Sequence, residues 1–311
     1  MDLSIVIPAF NNSNHLAATL ARMTHYCAGF DYEIIVVDYS SEAGESEKIH
    51  GLLAANHRAR LHESRVRGNI AVACNIGFRL ARSEVVFFLE PEDMFGTNYI
   101  IRRLRRHEDT RIDIVFGNYT TVNDKNVRSY VFNYQEGVAG EDFLFIEMGD
   151  IRTSTISVRK KQDRRFLFPE FLARYQDWGF LVNATNLGAR VVHDQGGGVF
   201  IRCGDEDLNR CRLNIDASER FIDTYLQASG RYISGFACKH LLASLYSEDL
   251  QAFNYYSSRM ERHTLSGKFK AIKLYGDCLA RLGLFPLGGE AAAHGPRGIT
   301  EVTCNRGKSQ L

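Results

Sequence analysis

The chain has 311 residues, of which 45% are hydrophobic and 24% charged, with a net charge of +1 and seven cysteines. Length and composition suit a soluble globular protein of one large domain plus an appendage, or of two small domains. The near-zero charge gives no clustered basic excess, so no nucleic-acid partner is expected. No window approaches about eighteen apolar residues, so no bilayer-spanning helix is expected, and the odd cysteine set without a Cys-x-x-Cys pair suits reduced thiols.

In chain order, Ile5-Val6-Ile7-Pro8-Ala9-Phe10-Asn11 is an apolar run ending in a turn. Met1-Asp2-Leu3-Ser4 before it lacks the basic start of a signal peptide, which leads us to expect a cytoplasmic protein. Asn12-Ser13-Asn14 can cap a helix whose apolar face is Leu16, Leu20 and Met23. A second run, Ile34-Ile35-Val36-Val37, ends in Asp38-Tyr39-Ser40-Ser41, and Glu42, Glu45 and Glu47 then favour a helix start. Ile70, Ala73, Cys74, Gly77 and Ala81 form the buried stripe of a third helix, before the strand Val85-Val86-Phe87-Phe88-Leu89. This alternation predicts an α/β protein: a mostly parallel open sheet with helices on both faces.

Residues 112–117 read as a further strand. Thr153 to Val158, Ala189 to His193 and Gly198 to Arg202 are expected as mixed strands at the far edge of the sheet. From about Asp205 the pattern turns helical through Ile222, Leu226, Phe236 and Leu245. The expected organisation is therefore an α/β domain over 1–205 and a helical C-terminal region over 206–311, with a flexible tail at 288–311. The basic amphipathic stretch at 268–285 has two readings, a membrane-surface helix or a packing helix with its lysines in water. The first would put the protein at the inner face of the membrane.

Three strands that each deliver polar groups at the C-terminal end describe the edge where open α/β sheets bind ligands. The acids Glu90-Pro91-Glu92-Asp93 at that edge suit a divalent metal, and a metal suits a diphosphate. Neither the first β-to-α turn nor Gly196-Gly197-Gly198 has the Gly-x-Gly-x-x-Gly spacing of a nicotinamide-dependent oxidoreductase.

Four patterns then occur in order: Pro8-Ala9-Phe10-Asn11, Val36-Val37-Asp38-Tyr39-Ser40-Ser41, Ala73-Cys74-Asn75-Ile76-Gly77 and Phe88-Leu89-Glu90-Pro91-Glu92-Asp93. On them the chain resembles the inverting, nucleotide-sugar-dependent glycosyltransferases of the family 2 type, which have the GT-A fold. The resemblance fades beyond roughly residue 205.

The resemblance implies a nucleotide-sugar donor, most simply a UDP-sugar, and a saccharide or lipid-linked saccharide acceptor. It implies that Pro8, Ala9, Phe10, Asn11, Asp38, Asn75 and Glu90 bind the nucleotide. Glu92 and Asp93 would hold Mn²⁺ or Mg²⁺ across the diphosphate. Tyr175-Gln176-Asp177-Trp178 matches the later acidic pair of the family, with Asp177 as the general base. Asp38 and Asp177 also suit turn and first-turn capping roles. Trp178 is expected either to stack on a sugar or to anchor the core. His193 could complete a metal shell and Arg202 could grip a phosphate, although a histidine in a strand is commonly just hydrogen-bonded in place. Glu90 and Glu92 replace aspartates, Gln176 replaces a glutamate, and Cys74 stands where relatives place an arginine. Those departures keep a second reading open, a sugar-nucleotide-binding or assembly module without catalysis.

Overall fold

In the computed structural model the described residues are 1–64, 68–123, 126–161, 166–196, 198–203, 214–227, 229–246, 249–260 and 274. The basic stretch at 268–285 (Leu274 apart) and the tail at 288–311 lie outside them, as does the expected boundary at 205.

The first half of the chain alternates as its apolar pattern dictates: β1 (Leu3–Ala9), α1 (Ser13–Tyr26), β2 (Tyr32–Asp38), α2 (Ala43–Ala54), β3 (Ala59–Glu63), α3 (Ile70–Leu80) and β4 (Val85–Phe88). Then follow β5 (Met94–Phe95), α4 (Tyr99–His107), β6 (Ile114–Gly117), β7 (Tyr119–Val122), β8 (Val127–Tyr130) and α5 (Gly140–Phe145). A 3₁₀ turn at Thr153–Thr155 leads into β9 (Ser157–Arg159), α6 (Gln176–Asn186), β10 (Val191–Asp194) and β11 (Val199–Arg202). The C-terminal helices are α7 (Ile215–Tyr225), α8 (Gly230–Tyr246) and α9 (Leu250–Ser258).

The main sheet has seven strands in the order β10-β6-β9-β4-β1-β2-β3, and β9 alone runs antiparallel to its neighbours. Every residue of β1 and β2 is buried, because the pleat sends alternate side chains into two separate cores. Leu3, Ile5 and Ile7 meet α1 and α2, while Val6, Ile35 and Val37 meet α3. Gly77 allows α3 to lie against the sheet, since a Cβ there would overlap Val6.

Two expectations need correction. The segment around Thr153 to Val158 does not lie at the sheet edge; β9 fills the slot between β4 and β6. Its buried Ser154, Thr155 and Ser157 obscure the apolar alternation that marks a central strand. The segment from Gly198 to Arg202 leaves the main sheet altogether. As β11 it joins a second sheet, β5-β11-β7-β8. Gly196 and Gly198, between β10 and β11, lie against the Arg102 and Tyr99 side chains, where a Cβ would crowd them. The helices after residue 214 form the expected C-terminal helical region and pack onto the rest of the chain. Phe221, Phe236, Phe253 and Tyr256 share one apolar cluster with Phe145, Trp178 and Phe180.

Candidate active site

Parallel register sets Ala9 beside Asp38 and Val6 beside Phe88, so three strand ends open on one rim. Pro8 and Ala9 close β1. Phe10 emerges and stacks on Tyr39 with ring centroids 5.4 Å apart. Asn11, in the left-handed region at φ 49°, donates its N–H to Ser41 Oγ at 2.9 Å and accepts from the Glu42 N–H through Oδ1 at 2.9 Å. Asp38 is buried and accepts the Ser41 N–H at 2.9 Å. The structure thus brings Pro8, Ala9, Phe10, Asn11 and Asp38 together, with Asn11 and Asp38 shaping the loops that carry the aromatic pair.

Asn75 has a different surrounding. Its amide donates to the Phe168 carbonyl at 2.8 Å and to Glu170 at 2.9 Å, and accepts the Phe168 N–H at 2.9 Å. Its polar atoms are committed to pinning the segment before α6 against α3.

The acidic turn follows β4. Burial first, then the charges of Asp93, Glu92 and Asp177, push the Glu90 carboxyl well above the usual range, while Arg152 opposes the rise. Asp93 is buried and pushed up to about 7 by burial; Ser154 Oγ donates to it at 2.5 Å and the Arg202 N–H at 3.2 Å. Arg202 therefore reaches the cluster through its backbone, and Asp93 has an acceptor role toward β11 and the 3₁₀ turn. Glu92, between Glu90 and Asp93 in sequence, is half-buried.

Asp177 sits in the first turn of α6, after Tyr175 in the left-handed conformation at φ 64°. Burial pushes its carboxyl up to about 6, with Arg152 opposing and Asp150 adding to the rise. Trp178 is buried: its indole stacks on Tyr175 at 5.1 Å and meets Phe221 and Phe236 edge-on. The ring packs in the aromatic core. His193 is also elsewhere, buried on β10 against Phe116, with Arg103 and Asp194 as its charged neighbours.

Sequence reasoning missed Asp150 and Arg152. They form an ion pair at 3.0 Å, and the Arg152 charge acts on Glu90, Asp93 and Asp177 alike. Their signal was only an Asp-x-Arg run in a loop, which no periodicity marks. Lys239 on α8 was missed as well; its charge acts with those of Asp150, Arg152 and Asp177.

Among the described residues no three His, Cys, Asp or Glu side chains form a ready metal cage. Repulsion among Glu90, Glu92 and Asp93 is nonetheless the kind of excess charge that a cation relieves. Mg²⁺-type ions are commonly held by one or two carboxylates plus substrate phosphates. The residues present fit a cation shared with a diphosphate, and do not fit one held by protein alone.

Residues 4–166, more than half of the chain, match the family model described as Glycosyl transferase family 2. The chain is 27% identical over 209 residues to the amylovoran biosynthesis glycosyltransferase AmsB of Erwinia amylovora, covering 62% of this chain and 66% of that protein. It is 23% identical over 171 residues to the glycosyltransferase GlyG of Streptococcus pneumoniae, covering 54% of this chain and 55% of the relative. The chain thus spans between about half and two thirds of these curated relatives. Its fold is similar to that of residues 1–349 of S. aureus TarS, solved in complex with UDP-GlcNAc, with a TM-score of 0.60 and 15% identity over 92% of this chain and 90% of that one. The fold is of the GT-A type, and by its matched residues the chain belongs to glycosyl transferase family 2.

Proposed function

We propose that the chain is an inverting glycosyltransferase that moves a sugar from a UDP-sugar to a hydroxyl of a saccharide or lipid-linked saccharide. One observation carries this reading: Asp177 on α6 and Glu90 just after β4, distant in sequence, lie near enough in space for the Asp177 charge to add to the burial, Asp93 and Glu92 that raise the Glu90 carboxyl. A base candidate and a diphosphate-end cluster thus share one rim.

The chemistry needs three things. The loops of Pro8 to Asn11 and Asp38 hold the nucleoside, with the Phe10–Tyr39 pair at their edge. Glu92, with Glu90 beside it, would hold a divalent cation, which would neutralise the charge of the departing diphosphate. Arg152, a half-exposed cation, faces the same acids and steadies that charge from the protein side. Asp177 takes the acceptor's proton as its oxygen attacks the anomeric carbon in line. A base poised near neutrality supplies about 10²–10⁴-fold in rate. One in-line displacement inverts the anomeric centre, since no protein nucleophile intervenes.

The second reading, binding without turnover, draws on the commitment of Asp93 to Ser154 and Arg202. The discriminating experiment measures free nucleotide diphosphate released from a panel of sugar nucleotides and saccharide acceptors, with and without Mn²⁺. Metal-dependent release supports the enzyme. Binding by thermal shift with no release under any condition supports the module.

A further inference from the structure

We infer that Lys239, supplied by the C-terminal helical region, is a positioning residue that clamps the Asp150–Arg152 segment to the base-bearing end of α6. Its Nζ donates to the Gly149 carbonyl at 2.5 Å and lies 5.0 Å from the centre of the Trp178 ring. Gly149 precedes Asp150, and Trp178 follows Asp177, so one ammonium touches both segments at once. Asp150 locks the same joint from the other side, accepting the Trp178 indole N–H at 2.6 Å.

The helix is seated to deliver this group. At Gly235, four residues before Lys239, a Cβ would overlap the Phe145 carbonyl, so the α8 backbone rests directly on α5. Phe236 and His240 then pack on Trp178, each with centroids 5.9 Å away. The charged and titratable groups around the joint are Asp150 and Arg152 from the loop, Asp177 from α6, Glu90 from the end of β4 and His240 from α8 itself. Tyr119 bonds to Asp150 from β7. Burial pushes the Lys239 ammonium down to about 8, with Asp150 and Asp177 holding the proton on and Arg152 opposing. The match to the family model ends at residue 166, so the clamp comes from chain that lies beyond it.

The chain has one tryptophan, so emission excited at the red edge, where its fourteen tyrosines absorb little, reports on Trp178. The wild type should show an alkaline step with a midpoint near about 8 as Lys239 loses its proton, and Lys239→Arg, which stays charged, should lack that step. In Lys239→Gln the acidic step of Asp177 should move up by roughly half a unit or more, because a nearby cation has been removed. Lys239→Arg should leave that step in place. An alkaline step that is absent from the wild type or persists in Lys239→Arg overturns the clamp, as does an unmoved acidic step in folded Lys239→Gln. Should Lys239→Gln fail to fold, the comparison of wild type with Lys239→Arg decides alone. A turnover arm rests on the proposed function: the acid limb of activity should move with the acidic step. Intact fluorescence shifts without turnover on any donor would sink the enzymatic reading and leave the clamp standing.

Discussion

Asp150 accepts the indole N–H of Trp178 at 2.6 Å, and with its other oxygen the Tyr119 hydroxyl at 2.5 Å. One carboxylate therefore ties the residue after Asp177 to the second sheet, and pairs with Arg152 as well.

Asp150→Ala should destabilise the protein by about 2–5 kcal/mol, since it strands two buried donors and unpairs a cation. Chemical denaturation measures this. A loss below about 0.5 kcal/mol would show that Asp150 is not a structural joint.

Asp177→Asn should cut turnover by about 10²-fold or more while donor binding persists. In the wild type the rate should rise with pH through about 6, as the carboxyl loses its proton. A folded-state value raised from 3.8 means that stability is fully present below about pH 4, falls as pH rises to about 6, and stays at the lower level above that. The neutral Asn variant should therefore be more stable at pH 7 to 8 by on the order of 1 kcal/mol, discounted for partial exposure, with no difference below about pH 4. Near-normal turnover in Asp177→Asn would refute the base assignment.

Glu92→Ala should weaken donor binding much more in the presence of Mn²⁺ than in its absence. Titration calorimetry under both conditions gives the comparison. Equal losses would remove Glu92 from the metal's shell and favour binding through Arg152 and the loops alone.

His193 and His107 are buried, and burial, helped by nearby arginines, pushes them down to about 4 and about 3. Lowered folded-state values contribute stability that is present above about pH 6.5 and lost as pH falls toward 4. Each histidine should add up to about 1.4 kcal/mol per pH unit to acid unfolding in that window. Neither ring nitrogen of His193 has a hydrogen-bond partner among the described residues, and the ring already packs on Phe116. His193→Phe should then flatten the acid limb of the stability curve at little cost near neutrality. A variant as acid-sensitive as the wild type would place the charging step elsewhere.

Much of the fold was legible in local pattern. Val6 and Ile7, or Val36 and Val37, are apolar on both sides of the pleat, which only a sheet covered on both faces accommodates. The acid that ends β2 and the acids that follow β4 were readable for the same reason, because a parallel strand must end at the ligand-binding edge. Asp177 was legible only through a motif, since the charged groups that act on it are set by how α6 packs.

Amino-acid order by itself determined the strand–helix alternation, the rim of acids and the membership of a family, because each is written in neighbouring residues. Tertiary structure alone decided the rest. That Asn75 pins the Phe168 backbone, that Trp178 packs among core aromatics, and which cations act on Asp177 are matters of contact between distant segments. Local propensity carries no information about such contacts. Burial and charge act through space, and Arg152 and Lys239 meet the acids only after α5, α6 and α8 have closed around one aromatic core.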